Sequence, residues 1–160
     1  MRILALIIIT FFGCAQTQQQ NANPEITTIK LQYEDQLRIP FHWVWVTIEK
    51  KSGSIIVHSV SKPLKDSVKW NYSNIDTSFT ISSSAYYKLV SLVSQINDAD
   101  LKLSSVSLDD GTDLSIAYGN SDSLQKFNVS TPSYDAVKRK TIHFQEASEE
   151  ILKISGIPFK

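Results

Sequence analysis

The chain has 160 residues, 16 basic against 16 acidic side chains, 42% hydrophobic residues and one cysteine. That length favours a single domain able to bury a core without disulfides or metal. Balanced charge gives no global field to hold DNA or RNA, and one thiol excludes both an internal disulfide and a thiolate-based metal site.

Met1-Arg2 opens the chain with a positive charge, and Ile3 to Phe12 is an apolar run broken only by Thr10. A bilayer span takes about 20 apolar residues, so the run is too short to cross and fits the apolar segment of an export signal. It ends in Phe11-Phe12-Gly13-Cys14. This resembles the lipobox of bacterial lipoproteins, with Gly13 as the small residue and Cys14 as the acceptor. Phe11 and Phe12 replace the usual aliphatic-then-small pair, a relaxed form similar to that of Bacteroidota. The resemblance covers only the first 14 residues. It implies cleavage before Cys14, a diacylglycerol and palmitate-class acyl chain on that cysteine, and a membrane anchor in the bacterial cell envelope, expected at the outer membrane. The alternative is an ordinary signal peptide cut after Ala15, which would leave a soluble periplasmic or secreted protein. The expected organisation is a signal peptide at 1–13, lipidated Cys14 and a polar, amide-rich tether through Glu25, and one domain over 26–160.

Within the domain, Ile26 to Tyr33 alternates as a strand. Phe41 to Glu49 is apolar on both faces, which predicts a central strand covered on two sides. The turn Lys51-Ser52-Gly53-Ser54 returns the chain as a strand over Ile55 to Val60. Weak alternation of Val68, Trp70 and Tyr72 suggests a short edge strand, and Phe79 and Ile81 another. Ser82-Ser83-Ser84 offers N-caps for a helix running to Asn97. A meander follows, with strands at Leu101 to Leu108, Leu114 to Tyr118 and Leu124 to Ser130, turning at Asp109-Asp110-Gly111-Thr112 and Gly119-Asn120-Ser121-Asp122. The final helix carries Phe144, Ala147, Ile151 and Ile154 on one face, with a period extending back towards Ser133, and stops at Gly156 and Pro158. The expected fold is α+β: an antiparallel sheet of about six or seven strands with two helices on one face.

Few residues suggest chemistry. His42 and His58 fall on consecutive strands and would be neighbours if the hairpin aligned them, but no carboxylate flanks them at ligand spacing. His143 reads as a surface residue. Asp109, Asp110 and Asp113 surround Gly111 but do not match a calcium loop and read as a turn. Ser59-Val60-Ser61-Lys62 and Ser123-Leu124-Gln125-Lys126 fit S-x-x-K by chance composition. Lys138-Arg139-Lys140 reads as a solvated charge run, or as a contact to acidic headgroups. Trp43 and Trp45 read as core. Trp70, Tyr72, Tyr86 and Tyr87 are the expected binding surface, suited to an envelope protein or a carbohydrate. No cofactor or metal is expected. The functional expectation is an envelope-anchored, non-enzymatic binding module; the alternatives are an inhibitor or immunity-type lipoprotein and an envelope hydrolase with a dispersed site.

Overall fold

Alternation of apolar and polar side chains builds one sheet. The computed structural model describes residues 25–102 and 111–158. Strands β1 (Thr28–Asp35), β2 (Trp43–Lys51), β3 (Ser54–Lys62), β4 (Ile75–Thr80), β5 (Thr112–Gly119) and β6 (Leu124–Ser130) pair antiparallel in the order β4-β3-β2-β1-β5-β6. Helices α1 (Ser83–Val93) and α3 (Ile142–Ile154) pack on one face, with a short α2 (Asp98–Lys102) after α1. The α+β architecture expected from the sequence is therefore the one observed.

Register explains the core. Ile29, Leu31 and Tyr33 of β1 stand level with Ile48, Val46 and Val44 of β2 and with Tyr118, Ile116 and Leu114 of β5. All are buried beneath Tyr86, Leu89 and Val93 of α1 and Phe144, Ala147 and Ile151 of α3. Each large apolar side chain so buried contributes about 1.5–3 kcal/mol. Helix α1 starts where Ser82 Oγ accepts the amide of Ala85 at 3.2 Å, an N-cap. Gly119 ends β5 with its backbone against the carbonyl of Ser123, and a Cβ there would collide with that oxygen.

Burial holds the protons on three tyrosines. Tyr33, Tyr86 and Tyr118 have phenol pKa values raised above the ordinary 10.0, in each case first by desolvation, with the Asp35 carboxylate adding to the effect at Tyr33. A raised native pKa means the folded state binds the proton more tightly, so its contribution is complete below about pH 10 and is lost as pH climbs past it. Urea midpoints are expected to fall steadily between about pH 9 and pH 12, with phenolate absorbance from these three tyrosines appearing only as the domain unfolds. An unchanged midpoint across that range would contradict their burial.

Several sequence expectations are corrected. Strand β2 is covered on one face only among the described residues. Val44, Val46 and Ile48 enter the core, while Trp43, Trp45 and Thr47 stand half-buried on the opposite face. There they are shielded laterally by cross-strand neighbours: Lys62 and Glu34 flank Trp43, and Val60 and Gln32 flank Trp45. Phe41 does not continue that alternation, because it turns at φ 54° in the loop before β2. Val68–Ser73 is a 3-10 helix, not a strand. Trp70 N donates to Ser67 O at 3.0 Å, Ser73 Oγ to Trp70 O at 2.8 Å, and the edge position falls to β4. Helix α1 stops at Val93, short of Asn97, where Ser94 Oγ bonds back to Val90 O. Leu101, expected to open a strand, lies in α2; the rest of that strand and the Asp109-Asp110 turn fall outside the described residues.

The last helix begins at Ile142, not near Ser133. Arg139 folds back and donates to the carbonyls of Ser130 (2.9 Å), Thr131 (2.7 Å) and Tyr134 (3.0 Å). Thr141 Oγ1 donates to Pro132 O, and Thr131, Asp135 and Lys140 adopt positive φ. These interactions hold 131–141 as a coiled-back loop where helical periodicity alone extends the helix.

Candidate functional site

The antiparallel register gives the domain two distinct ends. The chain enters at the end formed by Thr28, Glu49 and Gly119, beside the β2–β3 and β5–β6 hairpins. The other end carries the β1–β2 loop, the β3–β4 connection and the segment between β6 and α3.

Exposed apolar side chains concentrate at this loop end. Leu37 on the β1–β2 loop, Leu64, Val68 and Tyr72 on the β3–β4 connection, and Tyr134, Val137 and Ile142 after β6 are exposed, Val68 at 97% and Tyr72 at 60%. Two of the loops are locked together. Leu64 N donates to Ile39 O at 2.9 Å, and the Tyr72 ring packs edge-on to Phe41 at 5.8 Å. Trp70 lies 6.3 Å from Tyr72, with Lys69 Nζ 4.6 Å from its ring centre. Trp70 and Tyr72, expected as a binding pair, are thus brought together by the 3-10 turn.

Tyr86 and Tyr87 do not join them. Both sit at the entry end, and Tyr86 must be withdrawn from the binding surface: it is 1% exposed, and its hydroxyl donates to Ile26 O at 2.6 Å. The alternation of helical faces separates it from Tyr87, which is exposed. Lys50 Nζ stands 5.4 Å from the Tyr87 ring centre and donates to Glu25 at 2.6 Å and to the Tyr87 hydroxyl at 3.3 Å. Those two hydrogen bonds, Glu25 first, hold the ammonium pKa up to about 12. Tyr86, Tyr87 and Lys50 therefore fasten the entering chain to α1.

The remaining candidates separate as well. His42 is 2% exposed, its Nδ1 3.0 Å from Arg38 O and its Nε2 3.7 Å from Glu34. His58 lies opposite Thr47, well along the ladder from His42, with its Nε2 2.8 Å from Asp76 Oδ1 on the solvent face. The two histidines share no site. His143 is on the surface beside Glu146. Ser59 points into the core with no hydrogen-bond partner for its hydroxyl among the described residues, while Lys62 projects from the opposite face, so that S-x-x-K pair cannot meet. Ser123 belongs to a turn held by Asn120 Oδ1. Asp113 accepts from Ser130 Oγ across the β5–β6 ladder. Arg139, expected on a solvated or headgroup-binding run, is only 9% exposed and holds backbone carbonyls instead. No group of three metal-ligating side chains occurs among the described residues.

The sheet face opposite the helices is the feature that sequence reasoning missed. Trp43 and Trp45 lie on it, and Trp45, Thr47, His58, Val60 and Lys62 line a shallow hollow. The signal was present in the period-two pattern of β1, where Lys30 and Gln32 alternate with the core residues, and it marked one face as wet. A comparison with known proteins finds no family that matches the chain and no curated relative.

Proposed function

We propose that this protein is an envelope lipoprotein, held to the outer membrane through lipid on Cys14, and that its domain is a non-enzymatic binding module for another envelope protein. The supporting observation is polarity: the chain enters at one end of the sheet, and the exposed apolar loops gather at the other. A tether leaving at Glu25 would present Leu37, Val68, Trp70 and Tyr72 away from the membrane. A cluster of exposed aromatic and aliphatic side chains marks a protein contact. Lys65 and Lys69 beside it suit a partner with an apolar centre and an acidic rim. Anchoring by two or more acyl chains is stable, so the domain needs no membrane-binding face of its own.

Mass spectrometry of the native protein tests the anchor. The expected mature chain begins at Cys14 and carries acyl mass; a chain beginning at Gln16, or one retaining Met1 without lipid, would refute it. For the binding surface, the combined variant Val68→Asp and Tyr72→Ser is expected to lower recovery of the crosslinked envelope partner about tenfold while leaving the circular dichroism spectrum unchanged. Undiminished recovery would rule out the loop end as the contact.

A further inference from the structure

We propose that two copies of this chain join edge to edge through β4, antiparallel about a twofold axis at Thr77, to make one continuous sheet. The sequence of the edge carries this assignment. Ile75-Asp76-Thr77-Ser78-Phe79 reads apolar, polar, Thr, polar, apolar, the same in both directions. A strand with that pattern is complementary to an inverted copy of itself, which is what a twofold contact requires.

Strand β4 is an open edge. It ends the sheet, and among the described residues β3 is the element that packs along it. Natural edges are commonly blunted by lysine, proline, a bulge or a covering helix. β4 contains no Lys, Arg or Pro, its ladder with β3 runs unbroken, and its one charged side chain, Asp76, is held with Oδ1 2.8 Å from His58 Nε2. The opposite edge differs, since α2 packs against β6 and that strand carries Lys126. Pairing of β4 with β4 uses up the open edges and closes at two copies, whereas a β4-to-β6 contact would run on into a filament.

The ladder leaves the right groups free. Ile81 N donates to Ile55 O, so Ile75, Thr77 and Phe79 turn their amides to β3, and Asp76, Ser78 and Thr80 turn theirs outward. With Thr77 opposite its own copy, Asp76 and Ser78 exchange backbone hydrogen bonds with Ser78 and Asp76 of the second copy. On the helix side, Ile75 and Phe79 are half-buried at the margin of the core, Phe79 lying against Gly156 just past α3. The same register sets each Ile75 against Phe79 of the second copy, an aromatic to β-branched pair of the kind that stabilises sheets, and brings the two threonines face to face. On the open face each Asp76 stands beside a Ser78 hydroxyl and not beside its own copy. With no net charge on the chain, the two copies meet without global repulsion.

The proposal rests neither on lipid at Cys14 nor on the loop-end contact. Sedimentation equilibrium of the full chain in density-matched detergent, up to about 0.5 mM, tests it. A mass of two copies is expected. Ser78→Pro is expected to weaken association about tenfold or more while keeping the fold, because the amide it removes points away from β3. Thr77→Lys, which sets like charges opposite each other, should do the same. Thr77→Cys gives a second readout. In a non-hydrogen-bonded pair the two Cα atoms lie about 4.5 Å apart, within disulfide range. A linked dimer in excess of any the parent forms is therefore expected on non-reducing gels, with no such excess from Lys126→Cys on the other edge. The Val68→Asp, Tyr72→Ser variant should dimerise like the parent, which separates this edge from the loop end. A monomeric mass, a Ser78→Pro chain that associates as the parent does, or equal linkage through Lys126→Cys would overturn the assignment.

Discussion

Arg139→Ala is expected to destabilise the domain by about 3 kcal/mol, read as a lowered urea midpoint with an unchanged slope. Its guanidinium is almost wholly enclosed and bonds three carbonyls spread over Ser130, Thr131 and Tyr134. Hydrogen bonds to a charged donor are worth about 1.5–3 kcal/mol each, but three on one fork are not additive, and the carbonyls partly regain water once the loop loosens. The change also releases a segment with positive φ at Thr131, Asp135 and Lys140, whose strained conformations persist only where surroundings enforce them. Arg139→Lys should recover only part of the loss, because an ammonium cannot span acceptors that lie in a planar fork. A variant as stable as the parent would show that the loop is held by Thr141 and the backbone alone.

Phe144→Ala should cost about 4 kcal/mol. Phe144 is fully buried on the face of α3 that meets both α1 and the sheet. Truncation removes most of its buried area and leaves a cavity that two packed helices and a pleated sheet cannot close. Equilibrium unfolding measures the loss, and Phe144→Leu, which retains most of the volume, should cost far less. A loss below about 1 kcal/mol would mean that α3 does not seal the core as described.

The sheet was readable in the sequence because most of its strands keep a two-residue period with turn residues between them. β1 and β5 show it, β3 keeps the two-residue period although Ser59 and Ser61 turn inward, and Gly53 and Gly119 mark real turns. What failed depended on contacts distant in sequence. Helical spacing runs from Val137 to Ile154, yet Arg139 reaches back to β6 and the helix starts at Ile142, nine residues later than the period suggests. The double-sided hydrophobicity of β2 implied a second covering layer, whereas large indoles can be half-shielded by lateral neighbours alone. The site was legible only in fragments. Trp70 and Tyr72 were identified together, but Tyr86 was misassigned, since composition cannot say which of two adjacent tyrosines faces inward.

The first strand of the domain is an inner one, hydrogen-bonded along its length to β2 on one side and β5 on the other. A pull applied at Glu25 therefore runs parallel to β1 and loads both ladders in shear, so that many bonds must fail together and not one by one as in a peeled edge. Such an attachment point resists mechanical extraction, and under the anchored arrangement proposed above tension between the tether and the loop end would pass through the two central ladders.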